Sequence, residues 1–115
     1  MSNNIIAEKT LDFAVRIVNL QKHLVAEKKE FVLSRQILRC GTSIGANVAE
    51  SQQAQSRPDF IHKLNIALKE SAETNYWLRL LFDTDYMTEK QFQSIYADCT
   101  ELERMLTSII KHAKE

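Results

Sequence analysis

The chain's two glycines, Gly41 and Gly45, stand four residues apart inside a stretch that otherwise reads as helix: Arg39-Cys40-Gly41-Thr42-Ser43-Ile44-Gly45-Ala46-Asn47-Val48-Ala49-Glu50. No turn residue separates them. A glycine in a helix interior costs about 1 kcal/mol relative to alanine, so the pair gives up roughly 2 kcal/mol that packing must offset. Residues four apart share a helical face, so Gly41, Gly45 and Ala49 form a shallow smooth groove against which a neighbouring helix can come close. A kink or a helix end is the alternative, but the apolar period continues through Ile44 and Val48.

The rest of the chain supports helices throughout. Its 115 residues are enough for one domain, 1–115, to bury a core without disulfides or metal. With one proline and two glycines it is too poor in turn residues for a sandwich of short strands, and all-α architecture follows. Fifteen basic and fifteen acidic residues cancel to zero formal charge. That balance argues against a strongly electropositive nucleic-acid binder, while leaving room for a local basic patch on an assembled surface. Cys40 and Cys99 fall within helical patterns and read as buried thiols suited to a reducing cytosol. No apolar run is long enough for a signal peptide or membrane span, so a soluble, cytoplasmic protein with no membrane partner is expected.

Four amphipathic segments can be delimited. The first runs from about Asn4 to Lys28, with Ile6, Phe13, Ile17, Leu20 and Leu24 recurring at three- and four-residue steps. Ala14, Val18 and Val25 widen its stripe beyond the third of a circumference a surface helix needs, which predicts contact with more than one partner helix. The second starts near Val32 or Leu33 and runs to about Gln53, with Leu33, Ile37, Cys40, Ile44 and Val48 inward. Ser56-Arg57-Pro58-Asp59 starts the third with a serine cap, an early proline and an acid at the capping-box position. Its inward face carries Phe60, Leu64, Ala67, Leu68, Ser71, Leu78 and Phe82. Thr88-Glu89-Lys90-Gln91 repeats the capping box for the fourth, which carries Phe92, Ile95, Cys99, Leu102, Leu106, Ile109 and Ala113. Short turns between them dictate an antiparallel up-and-down four-helix bundle. That topology places the Lys28-Lys29 turn and the Asp83-Asp85 turn at one end, where opposite charges are expected to meet.

The block Gln36 to Glu50, followed by Asp59-Phe60 and Ala67-Leu68-Lys69-Glu70-Ser71-Ala72-Glu73-Thr74-Asn75-Tyr76-Trp77-Leu78, resembles a known family. It combines Arg-x-x-x-Ser-Ile-x-x-Asn-x-x-Glu with Ala-x-x-Glu-x-x-Glu-x-x-x-Trp-Leu. Over nearly its whole length the chain is similar to the 23S rRNA intervening-sequence proteins, four-helix-bundle proteins that often carry a ribosomal-protein label. The resemblance implies a bacterial protein that assembles into a ring, in family members a homopentamer, with no known catalysis. Some members are encoded within insertions in large-subunit rRNA genes. Relatives accompany reverse transcriptases of diversity-generating retroelements, where a basic barrel binds nucleic acid. The present chain departs from those relatives in its neutrality.

Candidate site residues follow from position. Arg35, Arg39, Ser43, Asn47 and Glu50 recur at steps of four, four, four and three, on the side of the second helix opposite the glycine groove. The stripe is either an ordinary solvated face or a polar interface in which Arg39 makes a forked contact with Glu70 or Glu73. Those acids share a flank with Ile66 and Trp77, an aromatic that fits either an interface or the core. Arg57, Lys111 and Lys114 gather at one pole and form a candidate nucleic-acid rim.

Chemistry finds little foothold. Asp59-x-x-His62 is one imperfect copy of the paired Glu-x-x-His motif that di-iron bundles require, so no metal or other cofactor is expected. Arg57 and His62, or equally Arg16 and His23, fit the loose Arg/His spacing of a class of helical ribonucleases. His112 in the last turn reads as a partner of the helix dipole. No small-molecule substrate is evident. Three classes stay open: a non-enzymatic ring-forming assembly linked to rRNA or ribonucleoprotein, which is the favoured reading, a protein-interaction scaffold that binds no nucleic acid, and a metal-independent ribonuclease.

Overall fold

The computed structural model describes residues 2–115. Four helices, α1 (Ser2–Ala26), α2 (Leu33–Ser51), α3 (Arg57–Asp83) and α4 (Glu89–Lys114), run up and down in an elongated bundle of 45 × 21 × 19 Å. Each packs on its neighbours in the sequence, α4 closes back more thinly on α1, and the backbones of diagonal helices stay apart on either side of a shared core. The odd-numbered helices therefore run from one pole to the other and the even-numbered helices return. The first pole holds the α2–α3 turn and the end of α4. The second holds the α1–α2 and α3–α4 turns.

Local chemistry sets the boundaries. The Ser56 hydroxyl accepts the Asp59 N–H at 3.2 Å, and Asp59 reaches back to the Gln55 N–H. At the start of α4, Thr88 and Gln91 form a full reciprocal capping box. The start of α2 depends on a residue outside it. The Glu30 carboxylate accepts the N–H groups of Val32 and Ser34, and the Ser34 hydroxyl donates to the Glu30 carbonyl. Both turns at the second pole contain a non-glycine residue at positive φ, Lys29 at 55° and Asp85 at 71°. At the end of α3 the Tyr86 N–H reaches the Leu81 carbonyl and the Asp85 N–H the Phe82 carbonyl, the paired bonds of a Schellman ending.

The core contains Ile6, Phe13, Ile17 and Leu24 of α1, Ile37, Cys40, Ile44 and Val48 of α2, Leu64, Ala67, Leu78 and Leu81 of α3, and Phe92, Ile95, Cys99, Leu102, Leu106 and Ile110 of α4. It departs from the periodic reading at several places. Ile110, not Ile109, is the buried member of the last pair, and Leu81 lies deeper than Phe82. Leu20, Leu33, Phe60 and Leu68 sit at the margin of the core. Ser71 is buried as its place on the inward face requires, and Thr10, Ser34, Ser51 and Thr74 are buried polar residues outside that reading. Helices hide these hydroxyls by turning them onto their own backbone, as when Thr10 donates to the Ile6 carbonyl and Thr74 to that of Glu70. The charges expected to meet across the two second-pole turns do not form ion pairs among the described residues. Asp83 is held by Arg79 one turn earlier on its own helix.

Candidate functional site

Two surfaces flank α2. Toward α1 the helices come close because two positions lack a Cβ: one built on Gly41 would lie 2.7 Å from Ile17 Cγ1, and one on Gly45 would lie 3.3 Å from the Thr10 carbonyl oxygen. Gly41 is buried, Gly45 is half-buried and Ala49 is exposed. Outside the contact, Ala49 joins Ala46, Ala7, Ala14 and Leu11 around a shallow apolar depression. Leu11 and Val15 beside it are 64% and 54% exposed.

Toward α3 the surface is polar and already paired within the chain. The Arg39 guanidinium binds Glu73 and lies 3.7 Å from Glu70, and the Trp77 indole N–H donates to the same Glu73 carboxylate at 2.9 Å. Glu73 is thus fixed from two directions, and Tyr76 stacks edge-on against Trp77. The Arg39 side chain remains 51% exposed, so water screens this cluster and its pairing does not require a second subunit. Further along the stripe, Asn47 donates to the Ser43 carbonyl and Glu50 pairs with Lys63 at 2.8 Å. That bond raises the Lys63 pKa. Arg35 is exposed.

At the first pole, Arg57 donates to the Ala113 carbonyl at 2.9 Å and so closes the C-terminal end of α4. Lys111 and Lys114 on that last turn are exposed. Arg57, Lys111 and Lys114 do share one pole, with Arg57 already engaged. His62 is exposed on α3, and Asp59 is occupied with the helix start.

Two features carry no signal in sequence. Arg16 clasps α4 by binding Asp98 at 2.7 Å and the Ser94 hydroxyl at 3.1 Å, and Lys9 reaches Glu101. Partners 78 to 92 residues apart cannot be matched by spacing. The same Arg16 lines a groove along the α1–α4 seam together with His23, Asn19 and Gln91.

Titratable groups inside the bundle are poorly suited to nucleophilic chemistry. Burial pushes the Cys40 and Cys99 thiols up, away from the reactive thiolate. Burial also raises the Glu103 carboxyl on α4. Among the described residues no group of three or more His, Cys, Asp or Glu could hold a metal ion, and no helix is long and apolar enough to cross a membrane.

Comparison with known proteins is consistent with this geometry. The family model for the 23S rRNA-intervening sequence protein matches residues 2–108. A solved structure of a protein of unknown function from the S23 ribosomal protein family of Bacteroides thetaiotaomicron is 63% identical. It superimposes with a TM-score of 0.95, covering 96% of this chain and 99% of its own. No curated protein matches the chain. Neither description that does match names a catalytic activity. With the match spanning all four helices, the chain belongs to the 23S rRNA-intervening sequence protein family.

Proposed function

We propose that this protein is a non-enzymatic helical bundle that assembles into a homopentameric ring in the cytoplasm and associates with rRNA or a ribonucleoprotein. The observation that carries the assembly is the second apolar face of α1, where Leu11 and Val15 stand in solvent although the inner face of the same helix already fills the core. The RNA half is supported by the family's name. In this reading Arg35, Arg39, Ser43, Asn47 and Glu50, with Glu70, Glu73 and Trp77, belong to surfaces that face other copies or a partner. Arg57, Lys111 and Lys114 form the rim presented to phosphates.

A neutral subunit offers phosphates no net attraction, so binding must arise from basic groups repeated around the ring. Affinity should then fall steeply with salt, with about −0.9 in log–log slope per neutralised phosphate on duplex and about −0.7 on single strands. Native mass spectrometry at micromolar protein tests the ring, and a clean monomer sinks it. Titration of labelled rRNA fragments across ionic strength, with Arg57, Lys111 and Lys114 changed together to alanine, tests the rim.

The zero net charge and the engagement of Arg57 favour one second reading, a protein-interaction scaffold. Absence of binding even at low salt selects it. RNA cleavage abolished by His62→Ala would select a ribonuclease instead.

A further inference from the structure

Two outer stripes, one on α1 and one on α3, follow a coiled-coil step outside the core, with Glu73 of the second held within the bundle by Arg39 and Trp77. On α1, Glu8, Leu11, Val15, Val18, Lys22 and Val25 recur at alternating steps of three and four, on the side away from the buried Ile6, Phe13, Ile17 and Leu24. On α3, His62, Ile66, Lys69, Glu73, Tyr76 and Leu80 recur at four and three, away from Leu64, Ala67, Ser71 and Leu78. Tyr76 is 61% exposed on that stripe. Glu8 and Lys22 are exposed, and neither is in an ion pair among the described residues.

We propose that these two stripes are the two halves of one subunit contact, the outer stripe of α1 packing in parallel on the outer stripe of α3 in the next copy around the ring. The proposal rests on the ring reading and names its faces. Its occupant is a second copy of this chain because the stripes match in direction, height and chemistry. Both helices run from the first pole to the second, so a parallel contact needs no inversion of one subunit. Heights follow from contacts within the chain: Thr10 lies against Gly45, and Glu50 pairs with Lys63 one turn nearer the first pole. Glu8 therefore stands level with Ile66 and Lys69, Leu11 and Val15 with the Lys69–Glu73 turn, and Val18 and Lys22 with Tyr76 and Leu80. Glu8 faces the cation Lys69, Leu11 and Val15 cover the aliphatic stem of Lys69, and Lys22 faces the ring of Tyr76.

Closure comes from the direction of the stripes. On a wheel of about 100° per residue, both lean from the outward direction toward α2 by roughly 30–40°. Two contact faces that would otherwise point diametrically apart are thus left about 110° from one another, a wedge that closes after about five copies, where opposed faces would give an open filament. The same lean turns α2 toward the ring axis. Arg35 and Arg39 of every copy then line one end of the lumen, and α4 faces outward.

The test uses the full-length protein. Native mass spectrometry of the unaltered chain should give a closed oligomer. Leu11→Glu combined with Val15→Glu, and separately Tyr76→Glu, should each give monomers with unchanged helical circular dichroism, since all three side chains are exposed in one subunit. In an otherwise native background, where Cys40 and Cys99 are buried, Leu11→Cys with Lys69→Cys in the same chain should give a ladder of covalent oligomers with a short bis-maleimide, and Leu11→Cys alone should give none. A ring that survives both glutamate variants overturns the assignment of faces and leaves the ring itself standing. Covalent dimers from Leu11→Cys alone overturn it in favour of a two-fold contact between α1 helices. A monomeric unaltered chain removes the ring reading and this proposal together.

Discussion

Gly41 and Gly45 serve one helix contact but are not equivalent. At Gly41 an added Cβ meets two carbons of the fully buried Ile17 at 2.7 and 2.8 Å. Ile17 has no free space to yield, so Gly41→Ala should destabilise by about 1–3 kcal/mol despite better helix propensity. At Gly45 the nearest atom is a backbone oxygen at 3.3 Å, tight but short of collision, and the side faces a surface depression. Gly45→Ala should be near neutral, because the propensity gain of up to about 1 kcal/mol offsets the strain. Gly45→Leu has to displace the Thr10 backbone and should destabilise. Urea unfolding of the three variants checks the order. Arg39 gives a second residue-scale expectation. Its half-exposed pairing should yield a coupling to Glu73 below about 1 kcal/mol in a double-mutant cycle, far from the 3–5 kcal/mol of a buried pair. Glu103 has its carboxyl pKa raised by burial. A raised folded-state pKa means that ionisation opposes folding: stability is full below the ordinary carboxylate range and declines as pH rises through the folded pKa. Glu103→Gln should thus raise the urea midpoint at neutral pH and lose that advantage in acid.

At the level of the helices, both glycines are committed to packing and neither remains for the turns. The left-handed positions went to Lys29 and Asp85. A non-glycine residue there carries a penalty of roughly 1–2 kcal/mol, milder for aspartate. Lys29→Gly should consequently stabilise by up to about 1 kcal/mol once glycine's greater unfolded-state freedom is subtracted, and more than Asp85→Gly. The opposite sign is expected at Glu30, whose carboxylate alone covers two N–H groups at the start of α2. Glu30→Ala should lower stability by about 1 kcal/mol, the usual size of a lost cap. Thermal unfolding followed by circular dichroism checks both. A Glu30→Ala variant as stable as the parent would show that water replaces the cap.

Across the whole molecule, α1–α2, α2–α3 and α3–α4 are closely packed while α4 approaches α1 less closely, with Arg16–Asp98 and Lys9–Glu101 bridging the seam over the shared core. The two thiols lie within a single core, with Cys99 pointing at the Ser71 carbonyl of α3. In native buffer neither should react with a thiol reagent on the timescale of a free cysteine. As urea approaches the unfolding midpoint both should react at a common rate, since opening any one helix breaches the core they share. Reaction of one thiol well before the other would reveal a partial opening and refute a single cooperative unit.

Much of this architecture is written locally, and that part was legible in the chain. Helix existence, the caps at Ser56 and Thr88, the up-and-down order and most of the core follow from composition, spacing and short turns, because the interactions that fix them reach three or four residues along the backbone. The family signature lies in the same contiguous blocks. The acidic partners of Arg39 were readable too, since helical spacing puts Glu70 and Glu73 on one flank. Other features came only with the third dimension. Spacing could not show that Ile110 rather than Ile109 turns inward, because a small rotation of α4 decides between adjacent side chains. Neither the clasp of Arg16 on Asp98 nor the closure of α4 by Arg57 has a local signature, since each joins segments that are remote in the chain. The outer stripes of α1 and α3 could be counted in sequence. Their common lean toward α2 depends on how the four helices are rotated against one another, which packing alone decides.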